Sequence, residues 1–227
     1  MSSHDRAASR PTTRRTLLGA CGLALATGLA GCSGRVVTGG DVAFEAAPAG
    51  VASATLDNTG YERYDRAEEV VTREYTVAGV TREVRVTNVV TSYDRALDLG
   101  ALGRYRAGVF TVVSSPQVRF LWETFNPLGE MSTDEVAARV DDRYESVRNV
   151  SRDRTYQVPI LGEERTVTRY TAEAVLVDGQ VAVEIYLYVT DVARAGEDFV
   201  VAVGAHPRVL DGSGAMLALA EALEHGA

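Results

Sequence analysis

Val181-Ala182-Val183-Glu184-Ile185-Tyr186-Leu187-Tyr188-Val189-Thr190 decides the fold class of this 227-residue chain. Its odd-numbered positions are all aliphatic, and its even-numbered positions mix small, charged, aromatic and hydroxyl side chains. A period of two places the two sets on opposite faces of an extended strand. Asp178-Gly179, just before it, is a two-residue turn signal that makes a hairpin with residues 165–177. The same β-rich texture recurs at 62–77, 82–93, 108–114, 147–158 and 198–205, with a brief strand at 42–46. Ala78-Gly79 and Leu161-Gly162 mark two more tight turns. Strands joined in this way build an antiparallel sheet.

Two segments read as helices. Ser132 and Glu135 match a capping box, in which each residue satisfies the other's free backbone N–H. Val136, Val140, Tyr144 and Val147 follow at helical spacing, with fraying expected before Val147. The second helix follows Asp211-Gly212-Ser213-Gly214, with Met216, Leu219 and Leu223 as its buried stripe and Ala218, Ala220 and Ala222 favouring it by propensity. A weaker helix is expected over residues 48–58, stopped by Gly60. The class is α+β: an antiparallel sheet with helices gathered on one face. This order is similar to the open-sheet, helix-backed folds of several envelope lipoproteins. Two matches suggest two hairpin–strand–helix halves. Tyr75-Thr76-Val77 parallels Tyr156-Gln157-Val158, and Phe110 to Val113 before Pro116 parallels Phe199 to Val203 before Pro207.

The first 31 residues carry an address. Arg6, Arg10, Arg14 and Arg15 stand against one acid, Asp5, ahead of an apolar run from Thr16 to Gly31. That run is diluted by Gly19, Gly22, Thr27 and Gly28 and falls short of the ~20 residues a membrane span needs. Thr13-Arg14-Arg15-Thr16-Leu17-Leu18 resembles a twin-arginine export signal, and Leu29-Ala30-Gly31-Cys32 resembles a lipobox. The resemblance implies cleavage before Cys32 and a lipid on that cysteine. An uncleaved N-terminal membrane helix is the competing reading. Residues 32–41 then read as the lipidated cysteine and a glycine-containing tether, and 42–227 as a single domain.

Composition adds context. All 23 basic residues are arginine, and the chain carries −8. The signal holds four arginines and one aspartate, which leaves 19 basic and 30 acidic residues, a charge of −11. Lysine-free acidity keeps a surface hydrated where salt screens charge. With the two N-terminal motifs, it resembles the small twin-arginine lipoproteins of halophilic archaea, a family that implies location on the outer face of the cytoplasmic membrane and no activity. A high-GC bacterium that favours arginine codons is the alternative source. The negative charge argues against nucleic acid as a partner. Cys21 lies in the signal and Cys32 takes the lipid, so the domain has no free thiol, disulfide or thiolate metal site.

Chemistry-bearing motifs are sparse. His4 lies in the signal, His225 in a tail expected to fray, and His206 alone at a strand end, so neither metal ligation nor catalysis is assigned to histidine. Glu68-Glu69, Asp141-Asp142 and Glu163-Glu164 are neighbours whose side chains diverge. No phosphate loop, zinc motif or nucleophile elbow is present, and no cofactor is expected. The segment 120–129 carries Trp122 and Phe125 and reads either as a plug over one end of the sheet or as a binding lip. Asn149-Val150-Ser151 is an N-glycosylation acceptor pattern. Poverty in His, Cys and Lys favours a non-catalytic module that binds an envelope protein, a glycan or an apolar ligand. A carrier of a lipid or small apolar ligand, or a carboxylate- or serine-dependent hydrolase, is the alternative.

Overall fold

The alternation at Val181–Thr190 is realised as an interior strand of a ten-stranded sheet in the computed structural model. The structure describes residues 35–37, 41–77, 79–98, 104–120, 123–125, 128–143, 147–176 and 181–226. The described part forms one compact unit.

In chain order, β1 (Arg35–Val37) and β2 (Asp41–Glu45) form an antiparallel pair. Part of the expected tether is therefore strand, in keeping with its β-branched Val36 and Val37. β3 (Ala49–Val51) and α1 (Ser53–Thr59) replace the single helix expected over 48–58, and Gly60 closes α1 in the left-handed region at φ 71°. The long hairpin of β4 (Glu62–Val77) and β5 (Val80–Asp98) comes next, followed by β6 (Arg104–Pro116). β7 (Val118–Phe120) pairs only with β8 (Glu123–Phe125) among the described residues.

α2 (Thr133–Arg143) opens on the expected capping box. The Ser132 N–H donates to Glu135 Oε2 at 2.8 Å, and the Glu135 N–H donates to Ser132 Oγ at 3.3 Å. β9 (Val147–Ile160) and β10 (Glu163–Leu176) turn through Leu161-Gly162. Both turn residues have positive φ, 50° and 84°, the signature of a type I′ turn. β11 (Val181–Thr190), β12 (Ala193–Ala195) and β13 (Asp198–Pro207) lead to α3 (Ser213–Glu221) and β14 (Leu223–His225). β14 pairs with β3, so the tail expected to fray is tied down. Asp178-Gly179 lies outside the described residues.

The sheet runs β1-β2-β5-β6-β13-β11-β10-β9, with β4 on the free side of β5 and β12 extending the pairing of β13. β2 pairs with Val84 to Thr87 of β5, and β6 with Val89 to Asp98. Only the β2–β5 pair is parallel among the described residues.

The sheet is covered on both faces, and this corrects the expectation of one. On β13, Val200 and Ala202 pack with Met216 and Leu219 of α3, whereas Val201 between them packs with Val136 and Ala137 of α2. Successive strand residues point to opposite faces, so α3 and α1 share one face and α2 takes the other. The reason lies in the interior strands. Leu187, Val189 and Val201 are aliphatic and buried on the face away from α3, and without α2 they would meet water. Close approach of α3 depends on Gly204. A Cβ there would stand 2.5 Å from Met216 Sδ.

The two halves are visible but unequal. β4, β5 and β6 lead to α2, and β9, β10, β11 and β13 lead to α3. Phe110 and Phe199 lie on β6 and β13, which pair with each other about the sheet centre. Among the described residues, no helix is long and apolar enough to cross a membrane.

Candidate functional site

Three strands bring arginine and tyrosine together on the α3 face, at the end of the sheet where β13 finishes. Register does this. Arg169 of β10 pairs with Tyr188 of β11, and Tyr186 of β11 pairs with His206 of β13. Arg208 follows where β13 ends, and its N–H bonds back to Glu184 O at 2.9 Å. The Tyr186 ring therefore lies between two guanidinium groups, Arg169 at 4.2 Å and Arg208 at 5.3 Å from its centroid. Such stacks strengthen as water is excluded. Arg169 is held by Asp153, with N–O distances of 2.6 and 2.5 Å. Arg208 pairs with Glu184 at 3.1 Å. The hydrogen bond from Arg208 to Tyr186, and then the Glu184 charge, raise the Arg208 pKa further and keep it a cation.

Beneath this row runs a buried hydroxyl chain. His206 Nδ1 lies 2.9 Å from Pro207 O, a carbonyl that only accepts, so Nδ1 carries the proton. Nε2 is then the acceptor for the Tyr188 hydroxyl at 3.3 Å, and Ser213 donates in turn to Tyr188 at 2.7 Å. Burial lowers the His206 pKa and favours this neutral form, against the raising effect of the Pro207 bond. His206 also stacks on Tyr188 at 5.6 Å and meets the edge of Tyr186 at 5.7 Å. Gly212, at the start of α3, seats the helix on this ring, since a Cβ there would come within 2.7 Å of it. The chain ends on a partnered imidazole inside the core. It braces the row above it, and the sequence assigned His206 no catalysis.

A second polar surface lies at the same sheet end, on β4, β5 and β6. Glu62, Arg63, Tyr64, Asp94, Ala96 and Arg106 line a shallow groove of about 280 Å³. Arg106 again combines an ion pair, 2.7 Å to Asp94, with a tyrosine stack, 4.4 Å over Tyr64. Tyr64 is 46% exposed.

The residues singled out by sequence fall elsewhere. Arg14, Arg15, Cys32 and Trp122 lie outside the described residues. Phe125 sits in β8, paired with Val118. Asn149 is exposed on the edge strand β9, in the left-handed region at φ 59°. Glu68 and Glu69 pair with successive residues of β5, Val89 and Asn88, as diverging neighbours must. His225 has a carboxylate partner after all, with Nε2 2.8 Å from Asp198 Oδ2. Asp198 also accepts the Ala47 N–H at 2.8 Å, and this buried node ties β14 and the residues before β3 to β13. Among the described residues, no group of three or more His, Cys, Asp or Glu side chains is placed to hold a metal. The arginine–tyrosine row escaped sequence reading because its members lie on separate strands. The mixed face of residues 182–190, with two tyrosines, was the one local sign.

No curated protein matches the chain. Residues 48–224, from the start of β3 to the end of the fold, match the family described as Domain of unknown function (DUF6517). That span includes every residue of the row and the groove, and the chain belongs to the DUF6517 family.

Proposed function

We propose that this chain is a lipid-anchored envelope lipoprotein, exported by the twin-arginine route, tethered through Cys32 to the outer face of the cytoplasmic membrane of a halophilic archaeon. Its domain acts as a non-catalytic binding module for a polar envelope partner, a protein or a glycan. The N-terminal motifs and the lysine-free acidic composition support the address. The observation that supports the binding role is the Tyr186 ring held between Arg169 and Arg208 on the α3 face; the second arginine–tyrosine stack, Arg106 over Tyr64, is paired with Asp94, which register places on the opposite face. Stacked, ion-paired guanidiniums are pre-ordered, so little side-chain entropy is lost when a partner docks. Aromatic and arginine side chains are also the commonest anchors of binding surfaces. The groove beside Arg106 is shallow and lined largely by charged groups, which suits a polar surface better than an enclosed lipid.

The test uses the detergent-solubilised lipoprotein against the protein and polysaccharide fractions of its own envelope. Tyr186→Ala with Arg208→Ala should weaken retention about ten-fold or more, as loss of a hot-spot pair does. Binding equal to wild type by that double variant overturns the assignment of the row. An unmodified Cys32 in the mass spectrum of the mature protein overturns the anchor.

A further inference from the structure

β4 is an edge that the fold leaves open. It pairs with β5 on one side, and no strand among the described residues lies on its other side. From Asp65 to Val77 its register with β5 is unbroken, and the stretch holds neither proline nor glycine. Its described side chains are mostly exposed, including Val70 at 57% and Val71 at 38%. The opposite edge, β9, is built otherwise. Two register shifts interrupt its pairing with β10, Asn149 adopts positive φ, and Pro159 lies near its end. Bulges and proline are the devices that stop an edge from accepting another strand, and β4 lacks them beyond Arg63/Asp65.

We propose that β4 pairs antiparallel with the β4 of a second copy, with Val70 on the twofold axis. An axis perpendicular to the sheet keeps each residue on its own face, so paired residues must have numbers of the same parity. Charge then selects the register. An axis at Glu68, Glu69 or Arg73 sets a charge against itself. An axis at Val71 sets Glu68 against the partner's Glu74 twice, which offsets its two pairs of Glu69 with the partner's Arg73. An axis at Thr72 makes no opposite-charge pair. With Val70 on the axis, Glu74 faces the partner's Arg66 in two symmetric places, Val71 faces the partner's Glu69, and no like charges meet. The monomer supplies a reason of its own. Glu74 stands directly opposite Glu83 on β5, a like-charge pair that an added arginine relieves. Arg66 lies on the same face as Glu74, and its guanidinium already sits over that face beside Gly50.

The test measures the mass of the full chain in detergent by light scattering and sedimentation, up to about 100 µM. Wild type should be a dimer. Val70→Lys sets two ammonium groups against each other on the axis and should raise the dissociation constant at least about ten-fold. Glu74→Arg, which faces the partner's Arg66, should act in the same direction. Val71→Lys faces the partner's Glu69 and should remain dimeric. Circular dichroism and melting of each variant establish that these exposed positions leave the fold intact. A monomeric wild type overturns the proposal. So does equal weakening by Val70→Lys and Val71→Lys, which would mark apolar association without register, and so does a dimer indifferent to Val70→Lys.

Discussion

The two faces of the sheet solve the same problem with different chemistry. On the α3 face, polar groups are buried and satisfied inside the fold. The Val51 N–H donates to Tyr93 Oη at 2.9 Å, Thr91 Oγ1 donates to Ala49 O at 2.8 Å, and the Ser213–Tyr188–His206 chain lies beneath the arginine–tyrosine row. On the α2 face a smaller apolar cluster is rimmed by ion pairs that reach solvent. Asp134 binds Tyr170 at 2.6 Å and Arg152 at 2.7 Å, with more than half of the Asp134 and Arg152 side chains exposed. Buried, satisfied networks fix a unique packing. Exposed pairs contribute little to stability and stay adjustable. The α3 face is therefore the structural base of the domain, and α2 is a cover that can loosen first.

The largest expected effect separates the faces directly. Leu219 of α3 is fully buried at 0% exposure, and Leu219→Ala should destabilise the domain by about 2–5 kcal/mol. Val136, in the first turn of α2, is buried against the sheet at 7% exposure, and Val136→Ala removes two methyl groups, about 1.5 kcal/mol. Denaturant midpoints of the two variants at one salt concentration check the ranking. A Val136→Ala loss equal to that of Leu219→Ala would make the faces equivalent. A smaller effect should follow at the rim. Ser132→Ala breaks the capping box and should cost about 1 kcal/mol, seen as faster amide exchange confined to α2 and its contacts. Exchange that rises equally in α3 would show that α2 does not open by itself.

The sequence disclosed one face more readily than the other. Met216 and Leu219 were legible as a buried stripe because helical spacing survives in a linear reading, whereas Leu223, expected on the same helix, is buried as the first residue of β14. The Ser132–Glu135 cap was legible because its partners are three residues apart. The position of α2 was not, since it depends on Leu187 and Val189 of β11 meeting Val201 of β13, a consequence of register. The arginine–tyrosine row shows the same limit. Arg169, Tyr186 and Arg208 come from three segments, and only the pairings Arg169–Tyr188 and Tyr186–His206 bring them together. His225 was misjudged for a related reason. Its partner, Asp198, lies 27 residues away, and the β14–β3 pair that fixes it joins the two ends of the domain.

The smallest effect is the sharpest discriminator, because the two faces should respond to acid in different ranges. On the α3 face, burial lowers the His206 pKa from its usual 6.5. The unfolded chain then binds a proton that the folded chain resists. The stability tied to this neutral imidazole is complete above 6.5 and is lost as pH falls through the lower folded value. On the α2 face, the Tyr170 hydrogen bond, and then the Arg152 guanidinium, lower the Asp134 pKa from 3.8. Here too stability is present above the unfolded value and is lost as pH falls through the folded one, but in a more acidic range. Asp134 is mostly exposed, so molar salt should shrink its part while leaving that of buried His206 almost unchanged. Denaturant midpoints followed from pH 8 to pH 3 in wild type, His206→Gln and Asp134→Asn separate the two. His206→Gln should flatten the dependence just below neutrality, and Asp134→Asn should flatten only the acid limb. An Asp134→Asn profile that parallels wild type throughout would mean that the rim of the α2 face carries no proton-linked stability, leaving its apolar contacts alone to hold α2 in place.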